Sequence, residues 1–141
     1  MDLGLAAWRA AVPRSSQEEV ILLDTHALAW VERGHRRARP LLKSGRPLYV
    51  SPITMLELQM LHEAGRFELA SGTVSRFFDD DRWVLDEPPV ARWFETSLSV
   101  GWTRDPFDRL LVAHARMRGW RLATADEAIL AHLPESERVE L

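Results

Sequence analysis

The sequence predicts an α/β domain with a mostly parallel central sheet of four to five strands. Short apolar runs, such as Val20-Ile21-Leu22-Leu23, alternate along the chain with longer helical runs. Strands that alternate with helices in this way are typical of parallel sheets with helices on both faces. A length of 141 residues and an apolar content of 46% suffice for one domain with a sizeable core.

The predicted elements follow one another in a regular order. We expect strands over residues 20–23, 46–50, 83–85, 120–123 and 138–141. We expect helices over residues 25–32, 40–43, 52–63, 88–98, 106–118 and 127–131, with a helical turn over residues 74–78. Ser51-Pro52 and Asp105-Pro106 are clear helix starts, because each places a capping side chain before a proline. Asp108, three residues after Asp105, completes a pattern similar to a capping box.

Composition excludes several classes of protein. The formal net charge of −3 argues against a generic basic nucleic-acid coat, although it leaves a nuclease open. The absence of cysteine excludes disulfides and thiolate zinc sites and fits a cytoplasmic protein. No apolar stretch approaches the ~20 residues that a membrane span needs. We expect residues 1–19 to be an N-terminal extension or linker, before a domain over residues 20–141.

Carboxylates recur at the positions where an α/β domain gathers its ligands. Asp24 and Asp126 close apolar strand-like runs, whereas Glu57, Asp105 and Asp108 lie near the starts of helices. Both kinds of position lie at the edge of a parallel sheet where its strands have their carboxyl ends. Carboxylates that meet there repel one another unless a divalent cation lies between them. Because Mg²⁺ and Mn²⁺ prefer oxygen ligands, we predict a site for one of these ions.

Each acid also has a purely structural explanation. Asp24, Asp105 and Asp126 could each simply cap a helix. Glu57 lies in a helix that is apolar nearly all round, which we expect to be largely buried. A buried carboxylate is costly unless it binds a metal or pairs with a cation such as Arg109. We favour the site because an acid follows nearly every strand.

Two threonines beside these acids have candidate supporting roles. Thr25 adjoins Asp24 and could hydrogen-bond its carboxylate, which would fix the rotamer. Thr124 precedes Asp126 by two residues at the end of a strand and could position that side chain or a water molecule. No serine–histidine pair or cysteine offers an obvious nucleophile, so covalent catalysis is poorly supported.

Four segments of the chain together resemble the PIN domain family. They are residues 22–28, 51–57, 104–115 and 122–126. Asp105-Pro106-Phe107-Asp108-Arg109 is the most specific of these matches, and the likeness runs from about Ile21 to Leu141 in order and at ordinary spacing. Within the family, the segments look like those of the VapC toxins of type II toxin–antitoxin systems.

The resemblance implies a compact three-layer α/β/α PIN-like fold and a Mg²⁺- or Mn²⁺-dependent ribonuclease. It also implies a homodimer that a cognate antitoxin holds inactive. The catalytic positions carried over by the motif are Asp24, Glu57, Asp108, Asp126 and Thr124. The metal ligands we expect are Asp24, Asp108 and Asp126, with Asp105 close by as an auxiliary ligand. Residues 1–19 depart from the family pattern, which usually begins almost at the first strand, and this puts the native start in doubt.

These observations predict a metal-dependent endoribonuclease that acts as a toxin on RNA. Arg104 or Arg109 would meet the RNA backbone at the mouth of the site, and Trp30 and Leu61 are candidates for the dimer interface. One alternative is a non-catalytic PIN-like RNA- or protein-binding module, which would require a broken acidic set. Another is an aspartyl phosphatase with Asp24 as nucleophile, although the second aspartate it needs two residues later is missing.

Overall fold

A parallel sheet of five strands forms the centre of the protein in the computed structural model, which describes residues 20–69 and 72–141. The strands are β1 (Ile21–Leu23), β2 (Leu48–Val50), β3 (Val84–Leu85), β4 (Arg121–Thr124) and β5 (Arg138–Glu140). All neighbouring strands are parallel, which confirms the predicted α/β class. The predicted extension over residues 1–19 lies outside the described residues.

Helices flank this sheet on both faces and agree closely with the predicted ones. They are α1 (Thr25–Arg33), α2 (Arg39–Lys43), α3 (Pro52–Glu63), α4 (Val90–Ser97), α5 (Pro106–Arg118) and α6 (Glu127–His132). Short 3₁₀ helices span Arg36–Ala38, Val74–Asp79 and Glu135–Glu137. Within the described ranges, none of the helices has the length and apolar character that crossing a membrane would require.

The strand order is β3-β2-β1-β4-β5, so the direction in which strands are added reverses beside β1. The chain builds β1, β2 and β3 toward one edge and then crosses to β4 and β5 on the other side of β1. In open parallel sheets, such a reversal leaves a crevice at the carboxyl ends of the two strands beside it. Those ends belong here to β1 and β4, where Leu23 lies level with Ala123.

Strand β1 is buried on both faces because its side chains alternate between two cores. Ile21 and Leu23 join Leu28 and Val31 of α1 in the first core. Leu22 lies in the second core, which α5 and α6 cover. Side chains on successive strand residues point to opposite faces, so a continuous apolar run is what a strand covered on both sides requires.

Helix α3 is less buried than its sequence predicts. Thr54 and Leu58 are fully buried, but the side chains of Leu56 and Met60 are 53% and 50% exposed. The prediction of a largely buried helix is therefore wrong. An apolar sequence shows that a helix can be covered on every side, but the packing of α3 against α1 and α5 covers only part of its circumference.

A buried ion pair joins the end of β3 to α5. The Nε2 atom of the fully buried His114 lies 2.7 Å from Asp86 Oδ2, and Arg118 Nε donates to the same oxygen at 2.8 Å. Burial by itself raises the pKa of Asp86. The hydrogen bonds from His114 and Arg118, together with nearby positive charge, outweigh that effect and hold the pKa below its ordinary value.

We expect Asp86→Asn to lower the free energy of unfolding at neutral pH by about 1–3 kcal/mol, because the charged acceptor of three hydrogen bonds, one from His114 and two from Arg118, is lost. A carboxylate with a depressed pKa stabilises the fold above its unfolded pKa, and this contribution disappears as the pH falls through the folded pKa. The difference from wild type should therefore shrink below about pH 4. Urea unfolding at several pH values measures it, with the exposed Asp81→Asn as control. Equal stability at neutral pH would contradict the role assigned to this pair.

Candidate active site

A cleft of about 570 Å³ opens at the carboxyl ends of β1 and β4. All five acids singled out in the sequence line this cleft: Asp24, Glu57, Asp105, Asp108 and Asp126. They come from four separate parts of the chain, and the sheet topology brings them to one place. The predicted supporting residue Thr124 is buried directly behind them, at the end of β4.

Asp24 is held in place by the backbone on either side of it. Its own N–H donates to the carbonyl of Ala123 on β4 at 3.1 Å, which continues the pairing of β1 with β4. Its Oδ1 accepts the N–H of Ala27 at 2.8 Å and so caps α1. The residue is buried, which fixes the carboxylate at the floor of the cleft.

Asp126 and Asp105 also cap helices and line the cleft at the same time. Asp126 Oδ1 accepts the N–H of Ile129 at 3.0 Å, and Asp105 Oδ1 accepts the N–H of Phe107 at 2.8 Å. Each cap uses one carboxylate oxygen, and the helix makes no use of the other. The structural and functional explanations of these acids are therefore not alternatives.

Thr124 connects two of the acids. Its Oγ1 accepts the N–H of Asp126 at 3.0 Å, and the nearby hydroxyl lowers the pKa of Asp24 against the larger raising effect of burial. One buried side chain thus fixes the position of a carboxylate after β1 relative to another after β4.

Thr25 has a different partner from the expected one. Its hydroxyl donates to Glu57 Oε1 on α3, and not to the neighbouring Asp24. Thr25 is the first residue of α1, which packs against α3, so its side chain meets the long-range neighbour. The hydrogen bond holds Glu57 toward the cleft and leaves its Oε2 unengaged by Thr25.

The predicted capping box at α5 does not form. The N–H of Asp105, which Asp108 would have bound, donates instead to Thr103 Oγ1 at 3.1 Å. Asp108 accepts nothing from that N–H, and its carboxylate lines the cleft. Thr103 accepts the N–H that Asp108 was expected to accept, so the Asp108 carboxylate is not used by the cap.

Three of the carboxylates, those of Asp108, Glu57 and Asp24, resist ionisation because the fold buries them and places them close together. Burial raises the pKa of Asp108, and repulsion from Asp105, Asp126, Glu57 and Asp24 raises it further, to about 7. Burial also raises the pKa of Glu57 against the lowering effect of the Thr25 hydrogen bond. The pKa of Asp24 is raised as well, chiefly by burial. Groups perturbed in this way are typical of functional sites.

Within the described residues, none of these five acids forms an ion pair with an arginine. The arginine–carboxylate ion pairs in the described part of the chain join Arg82 to Asp80, Arg116 to Glu137 and Arg118 to Asp86, all away from the cleft. Glu57 is not paired with Arg109, whose Nε donates to the carbonyl of Thr103 at 2.7 Å.

The arginines that line the cleft are also not the expected ones. Arg37 and Arg66 lie there, whereas Arg104 and Arg109 do not. Sequence spacing could not identify this pair, since neither residue lies near an acid of the cluster along the chain.

The donor set fits a Mg²⁺ or Mn²⁺ ion in its chemistry. As the side chains lie, no group of three acids or histidines among residues 20–69 and 72–141 is close enough together to hold a metal ion. The five acids of the cleft nevertheless offer the oxygen ligands that such an ion prefers, and within the described residues none of them is paired with an arginine. Burial and, after it, repulsion from the neighbouring acids raise the pKa of Asp108 to about 7, and repulsion of this kind is what a divalent cation relieves.

Comparison with known proteins gives a consistent result for sequence and for structure. Residues 21–135 match the model of the PIN domain family. Ribonuclease VapC22 of Mycobacterium tuberculosis is 32% identical over 119 residues, which cover 79% of this chain and 91% of the relative.

Two solved structures share the fold over 86% of this chain. One is a toxin–antitoxin complex from Klebsiella pneumoniae, with a TM-score of 0.63 and 19% identity, matched over 99% of its own chain. The other is VapBC2 from Rickettsia felis bound to a DNA fragment from its promoter, with a TM-score of 0.59 and 16% identity over 98% of its own chain. At these identities the two structures support the fold alone.

We expect Asp108→Asn to stabilise the metal-free protein, because it removes one of several repelling charges. Asp108 has a folded pKa of about 7, well above its ordinary value of 3.8. Its ionisation therefore costs nothing at low pH, costs increasingly more between about pH 4 and 7, and costs the full amount above that. The gain in unfolding free energy should be about 1 kcal/mol at pH 8, allowing for solvent around a half-buried group, and should vanish near pH 4.

Thermal or urea unfolding in EDTA at these two pH values measures the effect. Asp81→Asn is the matched control, because Asp81 is exposed and outside the cleft. A destabilised Asp108→Asn protein at pH 8 would show that the carboxylates do not repel one another as inferred.

Proposed function

The chain belongs to the PIN domain family, among the VapC-type ribonucleases, and from this premise we propose that it is a metal-dependent endoribonuclease acting as a toxin. The observation that supports this most directly is the single cleft that holds all five predicted acids. A non-catalytic binding module would not need five carboxylates in one cleft, of which Asp24 is buried and Glu57 and Asp108 are partly buried. The reaction proposed is hydrolysis of an RNA phosphodiester.

Asp24, Asp105, Asp108 and Asp126 would hold the Mg²⁺ or Mn²⁺ ion. Such an ion, when bound, supplies positive charge that polarises the phosphodiester and balances the charge that develops during attack. Asp24 is positioned for this by β1 and the Thr124 hydroxyl. Asp126 is positioned by its cap on α6 and by the bond of its N–H to the same threonine.

Glu57 is the candidate general base. Its pKa is raised by burial, which brings the carboxylate closer to the proton affinity that a base needs near neutral pH. Thr25 occupies Oε1, so Oε2 is the oxygen that would accept a proton from the attacking water. This assigns Glu57 to moving a proton and the aspartates to holding the ion.

The partners proposed for the chain are an RNA substrate, a cognate antitoxin and a second copy of itself. Exposed apolar side chains on α3 and α4 offer area for the protein contacts: Leu56, Met60, Val90, Phe94 and Leu98. Trp30 and Leu61, the residues expected at the dimer interface, are partly buried and line the cleft. Their position beside the acids suits the substrate better than a dimer contact. A cytoplasmic location would follow from an RNA substrate.

We expect purified protein to cleave a mixed RNA pool with Mg²⁺ or Mn²⁺ and to lose this activity in EDTA. Asp24→Asn and Asp108→Asn should each lower the rate on the order of 100-fold or more, because each removes a charged oxygen that holds the ion. Asp81→Asn is the control and should cleave as wild type does. Gel or fluorescence assays of cleavage measure the rates, with circular dichroism to confirm folding.

Full activity in Asp108→Asn would overturn the site assignment. A folded protein that binds Mg²⁺ or Mn²⁺ but cleaves no RNA in the pool would favour the binding-module alternative.

Thr124→Val should lower the rate and the apparent Mg²⁺ affinity about 10–100-fold, because the hydroxyl that orients Asp24 and Asp126 is lost. Thr124→Ser keeps the hydroxyl and should recover most of the loss. Mg²⁺ titration of the cleavage rate measures both variants. If Thr124→Ser is as impaired as Thr124→Val, the buried methyl group and not the hydroxyl is what the site requires.

A further inference from the structure

One face of α1 carries a row of basic and aromatic side chains that leads away from the acids. His26, Trp30 and Arg33 are spaced by four and three residues, so they lie on the same side of the helix. The helix begins beside Asp24, and His26 and Trp30 both line the acidic cleft. The row therefore starts in the cleft and continues past it.

A second groove, of about 360 Å³, extends the cleft along this row. It shares His26, Trp30 and Arg66 with the cleft and adds Arg33 and Phe67, together with one carboxylate, that of Glu68. Since three side chains belong to both, the cleft and the groove form one continuous surface. We call this surface the α1 strip and define it as His26, Trp30, Arg33, Arg37, Arg66 and Phe67.

The far wall of the strip is fixed to α1 by direct contacts. Gly65, with a φ of +71°, turns the chain after α3 and presents Arg66 and Phe67. The Arg33 guanidinium lies 5.5 Å from the centre of the Phe67 ring, and Arg33 Nη2 donates to the carbonyl of Glu68 at 3.4 Å. The two walls are thus already assembled without a ligand.

Two planar side chains, those of Arg37 and His35, pack against the Trp30 ring. The Arg37 guanidinium lies 4.6 Å from the Trp30 ring centre, and the His35 ring is stacked at 5.5 Å with an angle of 24°. Arg37 also donates from Nη2 to the carbonyl of Leu141 at 3.0 Å, which restrains it. Aromatic rings and planar arginines of this kind are surfaces on which nucleic-acid bases stack.

The arginines of the strip keep their charge available although carboxylates lie nearby. Arg37 and Arg66 line the cleft with five acids, yet over the described ranges neither forms an ion pair with any of them. Arg66 is also exposed. Arginines that are not paired with carboxylates can bind phosphate oxygens, because their N–H groups are arranged to donate two parallel hydrogen bonds.

We infer that the α1 strip is the track for a single-stranded segment of the RNA substrate, running from the phosphate to be cut along α1. This inference rests on the proposed ribonuclease function. His26 and Arg33 are seven residues apart, which spans about 10 Å of helix. That is roughly three nucleotides of a stacked strand at ~3.4 Å each. Rings that alternate with arginines match the bases and phosphates of such a strand, whereas an acidic peptide would use the arginines alone.

Binding of a fluorescent single-stranded RNA pool, followed by anisotropy over a range of salt, tests the track. All variants carry Asp108→Asn and are assayed with Mg²⁺, so that the RNA remains uncut. Arg33→Gln and Arg66→Gln should each weaken binding several-fold and reduce the slope of log affinity against log salt by about 0.7. Trp30→Leu should weaken binding about five-fold or more with the slope unchanged, because it removes stacking and no charge.

Arg92→Gln is the matched control, since Arg92 is an exposed arginine on α4 outside both the cleft and the groove. Its affinity and salt slope should equal those of the parent. If the Trp30→Leu protein melts at a much lower temperature than the parent, the test rests on the Arg33→Gln and Arg66→Gln proteins alone.

Arg33→Gln and Arg66→Gln proteins that bind RNA as the Arg92→Gln control does would overturn the track and leave the strip for a protein partner. Absence of RNA binding by the parent protein would overturn it too. Cleavage by the wild-type protein, measured in parallel, separates the two levels of inference. If the wild-type protein cleaves RNA but the two arginine variants bind RNA as the parent does, only the track is wrong. If the wild-type protein cleaves no RNA with either ion, the proposed function is wrong.

Discussion

The parallel pairing of β1 with β4 is the constraint on which the rest of the site depends. It places Leu23 level with Ala123, and the next backbone bond joins the N–H of Asp24 to the Ala123 carbonyl. The two strands are neighbours although most of the chain lies between them, so two distant carboxylates emerge at one crevice. Thr124, at the end of β4, lies beside both: it accepts the N–H of Asp126 and lowers the pKa of Asp24. Without this pairing, the aspartates would remain ordinary helix caps on separate elements.

Folding and function oppose each other in the cleft. Burial, together with repulsion from the four neighbouring acids, raises the pKa of Asp108 to about 7 and so costs stability above that pH in the metal-free state. Local bonds offset part of the cost, because the caps and the two threonine hydroxyls hold the acids through dipoles and not through countercharges. An arginine paired with these acids would relieve the repulsion, but it would also occupy their carboxylate oxygens. The chain instead keeps its arginine–carboxylate pairs on other parts of its described surface, such as Asp86 with Arg118.

The features that the sequence predicts well are those set by short stretches of chain. Asp105-Pro106 marks a helix start by itself, and Val20 to Leu23 reads as a strand because both of its faces are apolar. The predictions that are wrong all concern contacts between residues that are distant in sequence, which local sequence does not specify. Thr25 bonds Glu57 on another helix, and Arg37 and Arg66 reach the cleft from segments that carry none of its acids. The exposure of Leu56 depends on which faces of α3 its neighbours cover.

The separation of charges explains how an acidic chain can act on a polyanion. The net charge of −3 opposes RNA binding at long range, so attraction must come from local arrangement. Carboxylates from β1, β4, α3 and α5 line the floor of the cleft, whereas Arg37 and Arg66 enter from the α1 side without pairing to them in the described structure. A phosphate entering from that side meets positive charge and aromatic faces before it meets the acids. Under the proposed function, the acids would bind a cation before a second anion approached them. Binding of the ion and binding of the RNA would then be coupled through the repulsion between the acids and the phosphate.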